Sequence, residues 1–268
     1  MPLLEAKDLS LGFGGKPVAE HVNLCVRPGE ILTILGPNGS GKSTVLKALS
    51  RNLKPLNGVV YLAGRDLRKT DGRDIARQMA VLPQSPRAPG DITVQELVTC
   101  GRYPHQNWWR GSAPEDRKMV SWALQQTGLA EYAERPLTSL SGGERQRAWI
   151  ALALAQNPHI LLLDEPTTHL DISHQLEVLE LLAEMNRRHG LTVVMVLHEV
   201  GQAAKYADRI VLLQQGRIVA AGPPREVISE ETLRTVFGVE AEVWLDDVTN
   251  RPVLLVRGLA KKADAAGG

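Results

Sequence analysis

The segment Gly36-Pro37-Asn38-Gly39-Ser40-Gly41-Lys42-Ser43 narrows the possible folds more than anything else in this chain. It follows an apolar run at 31–35 that reads as a buried strand. It opens a run in which Val45, Leu46, Ala48 and Leu49 share one helical face. A glycine-rich turn in that setting can wind so that successive backbone N–H groups point inward, and the helix N-terminus adds positive potential. Such a turn cradles phosphate, and here every fixed position of G-x-x-x-x-G-K-[ST] is matched. Lys42 offers a point charge to the β- and γ-phosphates of a nucleotide, and Ser43, followed by Thr44, offers a hydroxyl oxygen to Mg²⁺. The local alternative is a chance glycine turn before a helix; the flanking strand and helix argue against it.

A second apolar run, Ile160-Leu161-Leu162-Leu163, ends in Asp164-Glu165. Two carboxylates closing a buried strand are costly unless something there needs negative charge. Alone they read as solvated turn residues. Beside the Lys42 loop they read as Asp164 in a Mg²⁺ shell, with Glu165 directed to the opposite face where an attacking water could sit.

The rest of the chain alternates. Strands are expected at 23–26, 59–62, 192–197 and 209–213, and a helix at 172–189 with Ile172, Leu176, Leu179 and Ala183 on one face and Gly190 as its stop. From Ser85 to about Asn157 the pattern changes: Pro and Gly punctuate helical stretches at 94–99, 115–127 and 144–155. This describes an α/β core interrupted by a helical insert. Segments 240–245 and 253–256 suit a terminal hairpin, and 260–268 a disordered end.

Composition supplies exclusions. Of 268 residues, 43% are hydrophobic and 23% charged, which rules out bulk disorder. The formal charge of +1 argues against a protein that coats nucleic acid. Cys25 and Cys100 are too few for a disulfide framework or a zinc ribbon, and fit a reducing compartment. No apolar stretch reaches the roughly 18–20 residues that span a bilayer, and the opening Met1-Pro2-Leu3-Leu4-Glu5 lacks a signal-peptide pattern.

Phosphate cradles serve many activities, and Leu140-Ser141-Gly142-Gly143-Glu144-Arg145-Gln146-Arg147 separates them. Locally it is a helix start in which Ser141 caps and Glu144 completes a capping box. Its two glycines also bare N–H groups for a phosphate. The segment resembles the signature of ATP-binding-cassette (ABC) ATPases. Gln84, after Val81-Leu82-Pro83, resembles the Q-loop glutamine of that family; Asp171 resembles its D-loop aspartate, the alternative being a helix N-cap. His198 resembles its switch histidine. Phe13, in a glycine-rich turn, lies where the family places an aromatic that stacks on adenine; the alternative is a partly buried core residue.

The resemblance covers residues 3–240 and implies a P-loop NTPase core of ABC type with an inserted helical subdomain and an N-terminal antiparallel β subdomain. The implied cassette is a single domain over 1–245, with the core at about 1–84 and 158–245, the insert at about 85–157, and a tail at 246–268. It implies ATP and Mg²⁺ as ligands and two copies, or a paired cassette, sandwiching two ATP. One copy would present Phe13, residues 36–44, Gln84, Asp164, Glu165 and His198, with Ser43, Gln84 and Asp164 around the metal. Lys42, Gln84, Glu165 and His198 would act in catalysis; the other copy would close over the γ-phosphate with Ser141, Gly142 and Gly143, and Asp171 would count among the nucleotide-binding residues.

Finer resemblance, in 90–98, Gly101-Arg102-Tyr103-Pro104-His105, 166–172 and 233–239, is to bacterial importer ATPases for ferric siderophores and ferric citrate. It implies a peripheral subunit on the cytoplasmic face of the inner membrane, docked through its insert on a separate permease and served indirectly by a substrate-binding protein, without nucleic acid. Haem and cobalamin importers and iron–sulfur assembly ATPases are the alternatives. Residues around Gln84–Pro104 are expected to line the docking groove. Trp108-Trp109, with Tyr103 nearby, are expected either to contact the permease or to pack the insert's own core.

Overall fold

The computed structural model describes residues 1–89, 91–106 and 113–260. Strands β1 (Leu4–Phe13) and β2 (Lys16–Val26) form a long antiparallel hairpin, of which the expected strand at 23–26 is only the end. Register shifts interrupt the pairing, and Asp8 and His21 take left-handed φ values of 47° and 53°. Bulges of this kind break the period-2 pattern that marks a strand in sequence while the ladder persists. The fully buried β3 (Ile31–Leu35) leads through the glycine-rich loop into α1 (Lys42–Leu49).

The expected strand at 59–62 is β4 (Asn57–Leu62), and the polar stretch between it and Pro83 holds more structure than its sequence suggests: the short β5 (Arg65–Asp66), α2 (Gly72–Ala76) and β6 (Met79–Leu82). One antiparallel sheet runs in the order β2-β1-β4-β5. Helices α3 (Val94–Cys100), α4 (Pro114–Gln126) and α5 (Gly142–Ala155) follow, close to their expected bounds. Then come β7 (Ile160–Asp164), α6 (Ile172–His189), β8 (Thr192–Val196), α7 (Val200–Tyr206), β9 (Arg209–Gln214) and β10 (Arg217–Gly222). They complete a six-stranded sheet, β10-β9-β3-β8-β7-β6, parallel throughout except for β10. Strands β11 (Val239–Leu245) and β12 (Pro252–Leu259) form the terminal hairpin, whose pairing straddles position 245. Ala260 still donates its N–H to the Gly238 carbonyl; the rest of the expected disordered end, 261–268, lies outside the described residues, as do Trp108 and Trp109.

Alternate residues of the parallel strands feed two cores. Leu161 and Leu163 of β7 and Val193 and Met195 of β8 pack with the α5 and α6 side. Ile160, Leu162, Val194 and Val196 pack with α1 and the antiparallel sheet. Burial on both faces is why these strands read as unbroken apolar runs. Each such side chain contributes about 1.5–3 kcal/mol relative to exposure.

Helix α6 departs from its expected face. Leu179 and Ala183 are buried, with Val178, Leu181, Leu182 and Met185, but Ile172 is 76% exposed and Leu176 39%. The buried stripe begins at Val178.

Parallel register brings the carboxyl ends of the strands to one edge. Ile34 and Asp164 both oppose Val196, and Leu82 opposes Leu163. Gly36, Gln84, Glu165 and His198 therefore all emerge there, at the edge where open α/β sheets bind ligands.

Candidate nucleotide site

The loop after β3 is built by close approach. A Cβ on Gly36 would lie 2.0 Å from the Leu213 carbonyl oxygen, so only glycine fits. Gly39 and Gly41 take φ values of 77° and 99°, which glycine adopts without strain. Pro37 is half-buried, and Asn38 and Gly39 are exposed at the loop's crest. Lys42 is buried and donates from Nζ to the carbonyls of Gly36 (2.9 Å) and Pro37 (3.0 Å).

No side chain caps α1, whereas α3, α5 and α6 are capped by Thr93, Ser141 and Asp171. The first-turn amides of a helix have no partner within it, so this N-terminus keeps donors for an anion. The buried Ser40 Oγ also has no hydrogen-bond partner. A phosphate chain suits both observations.

Ser43 Oγ donates to Asp164 Oδ1 at 2.8 Å, placing two hard oxygens side by side at the start of α1 and the end of β7. Burial lowers the Lys42 pKa, against the opposing pull of Glu165 and Asp164. Burial also raises that of Asp164, the Ser43 bond only partly offsetting it. Anionic oxygens beside Lys42 and a divalent cation beside Asp164 would favour both charged forms.

Glu165 is held on both oxygens. His198 Nε2 lies 2.6 Å from Oε1; Gln84 Nε2 donates to Oε2 at 2.6 Å, and Thr168 Oγ1 does so at 3.2 Å. Its backbone is left-handed, at φ 53°, a conformation that costs a non-glycine residue on the order of 1–3 kcal/mol. Gln84 bonds Glu165 through its amide nitrogen, and its Oε1 accepts no hydrogen bond among the described residues. The structure thus brings Lys42, Ser43, Gln84, Asp164, Glu165 and His198 together, with Thr44 half-buried in α1.

Phe13 ends β1 and is 56% exposed, so it is not a core residue. Its hairpin leans on the loop: the Val18 carbonyl would lie 3.4 Å from a Cβ on Gly41. Gly216, in the turn between β9 and β10, donates to the Ser40 carbonyl and accepts from the Glu20 N–H.

Ser141, Gly142, Gly143 and Asp171 stand apart; among the described residues no hydrogen bond joins 141–143 to 36–44. Ser141 does form the capping box with Glu144. Gly142 is exposed, but Gly143 is buried, a departure from two bare glycines. Asp171 caps α6, accepting from the His174 N–H, the Ser173 hydroxyl and His174 Nδ1. The first of these contributes most to holding its pKa down at about 2.

Sequence reasoning missed Thr168 and His174. The hydroxyl three residues after Glu165 was the available signal for Thr168. For His174 the i, i+3 spacing from Asp171 was the one local signal; its contact with Gly143 comes from another helix.

In the insert, Ile92, Gln95, Glu96, Thr99, Cys100 and Tyr103 border an open groove of about 520 Å³, within the expected docking stretch. No helix among the described residues is long and apolar enough to cross a membrane.

A phosphate loop, an acidic strand end, and a carboxylate shared by a glutamine and a histidine define a nucleoside-triphosphatase, with a Ser-Gly-Gly helix start set apart from it. The sequence model of the ABC transporter family matches residues 19–168, and the chain belongs to that family. It is an ATP-binding cassette, an ATPase coupled to transport.

The iron(3+)-hydroxamate import ATP-binding protein FhuC of Bacillus subtilis (strain 168) is 46% identical over 261 residues, covering 97% of each chain. The ferric enterobactin transport ATP-binding protein FepC of Escherichia coli (strain K12) is 44% identical over 95% of this chain and 94% of its own. Among solved structures, a chain from the inward-facing conformation of an ABC transporter described as metal-chelate type superposes with a TM-score of 0.82. It is 28% identical, over 95% of this chain and 97% of that one.

Proposed function

We propose that this chain is the ATP-hydrolysing subunit of an importer for ferric chelates of the siderophore class, working as a pair of copies on the cytoplasmic face of a bacterial inner membrane. The observation that carries the hydrolytic reading is the Glu165 carboxylate, held between Gln84 and His198 at the edge where Lys42 and Asp164 also emerge. In this reading Lys42, the loop amides of 36–44 and Ser40 hold the phosphates, and Phe13 covers the base. Mg²⁺ would be held by Ser43, Asp164 and Gln84, and would screen the phosphate charge. Glu165 takes the proton of the attacking water, and His198 keeps Glu165 and the terminal phosphate in line. Electrostatic stabilisation by Lys42 and the α1 N-terminus is the largest expected term.

Two features support a pair of copies. The Ser141 tip is exposed and unattached to its own phosphate loop. Beside Asp171, Ile172 and Leu176 present an exposed apolar i, i+4 pair that a partner could cover. A symmetric pair would place each tip over the other copy's nucleotide. The cargo assignment rests on the import functions named for the hydroxamate and enterobactin relatives.

The test is co-expression with candidate permeases. ATPase activity of the membrane complex should rise when a ferric-siderophore-loaded binding protein is added. Stimulation by a haem- or cobalamin-loaded protein instead would reassign the cargo. A chain that stays off the membrane and copurifies with cluster-assembly proteins would end the importer reading.

A further inference from the structure

The residues following Asp171 make contacts that the nucleotide site does not account for. His174 Nδ1 lies 2.8 Å from Asp171 Oδ1; the carboxylate can only accept, so the ring proton sits on Nδ1 and the ring's orientation is fixed. The far edge of that ring lies against α5. A Cβ built on Gly143 would fall 2.1 Å from His174 Cδ2 and 2.5 Å from Cγ. Gly143 is therefore glycine for packing within its own chain, while Gly142 is open, its nearest neighbour being Leu170 Cδ2 at 3.7 Å.

One turn further along both helices, Arg147 donates to Glu177, so α5 and α6 are joined at two successive levels. Gln175 holds the other side. Its Nε2 donates to the Leu170 carbonyl at 3.0 Å, and its Oε1 accepts from Gln202 of α7 at 2.6 Å. Consecutive residues thus tie the 167–171 turn to the signature helix on one side and to the helix after His198 on the other.

We propose that His174 is a positioning residue that joins the Ser141–Gly143 tip and the Asp171 turn into one unit, so that both reach the partner copy's nucleotide in fixed relation. This rests on the paired reading above. Because among the described residues no hydrogen bond joins the phosphate loop of the same chain to these groups, losing the ring weakens closure and turnover but leaves nucleotide capture by a single copy intact.

The experiment uses the full chain. Glu165→Gln slows hydrolysis so that ATP-driven pairing can be read by size exclusion. Adding His174→Ala should raise the ATP concentration for half-maximal pairing by about tenfold, the scale of one lost hydrogen bond to a charged group. Binding of a fluorescent ATP analogue to the single copy should change less than about twofold. In the chain with Glu165 intact, His174→Ala should raise the apparent KM for ATP by a similar factor, because turnover needs the pair, while ATP binding to the single copy stays unmoved. Gly143→Ala should impair pairing by displacing the ring, and Gly143→Ala with His174→Ala should cost less than the product of the two, since the missing ring makes room for the methyl.

Pairing indifferent to His174→Ala, or strictly multiplicative effects in the double variant, would overturn the proposal. If Glu165→Gln with His174 intact never pairs in ATP, the paired reading falls and takes this proposal with it.

Discussion

Replacing Glu165 by Gln changes one atom in the tightest cluster of the site, and its consequences can be worked through. The carboxylate now accepts from His198 and Gln84, both at 2.6 Å, and from Thr168. A glutamine has one accepting oxygen, so one of those two nitrogen donors would face an NH₂ group. That contact is lost, at about 1.5–3 kcal/mol for a hydrogen bond to a charged group. The proton acceptor is lost with it, and a positioned general base contributes about 10²–10⁴-fold. We expect kcat to fall by about 10²–10⁴, equivalent to about 3–5 kcal/mol of barrier.

ATP affinity should hold, because Lys42, Ser40 and the loop amides are untouched. The assays are steady-state and single-turnover phosphate release, with nucleotide binding measured in parallel. A loss of less than about tenfold, or a collapse of ATP binding, would refute the role assigned to this carboxylate.

Removing Asp116 should be costly to stability. Arg102 Nε bonds Asp116 Oδ1 at 2.8 Å with both side chains buried, and Asp116→Ala would leave an unpaired buried guanidinium, a loss of about 3–5 kcal/mol and roughly 10 °C in Tm by calorimetry. Replacing both residues by apolar ones should recover most of that loss. Burial pushes the Asp116 carboxyl up, but its bonds from Arg102 and the Ala113 N–H outweigh this and hold the pKa below the usual value. Its stabilisation is complete above the ordinary carboxylate range and lost as pH falls below it, which acid melts of wild type and the double variant should show. Phe13→Ala should raise KM for ATP by between about fivefold and a hundredfold with kcat little changed, the range of one base–aromatic stack. Alanine at Ile92, Gln95 and Tyr103 together should abolish transport in vesicles while the purified chain keeps its basal ATPase rate; unchanged transport would place the permease contact elsewhere.

What the sequence disclosed, and what it hid, follows from how each element is stabilised. The phosphate loop and the β7 end were legible because their chemistry is local: the glycines, Lys42 and the Asp164-Glu165 pair sit within a few residues of one another. The doubly buried strands announced themselves as apolar runs. Strands β1 and β2 did not, since bulges at Asp8 and His21 scramble their alternation. The buried face of α6 was misjudged at Ile172 and Leu176, where periodicity reports an apolar stripe but not what covers it. The contact of His174 with Gly143 was invisible for a deeper reason: that partner is thirty-one residues away, and a glycine carries no side chain to suggest a contact.

The left-handed backbone at Glu165 carries a consequence for directed evolution. Glycine there would relax the main chain by about 1–3 kcal/mol but would remove the acceptor of three bonds worth about 1.5–3 kcal/mol each, so a library screened for survival at high temperature should disfavour Glu165→Gly, as should one screened for uptake. At this position durability and work ask for the same side chain, and the bent main chain is tolerated because its carboxylate is so fully engaged.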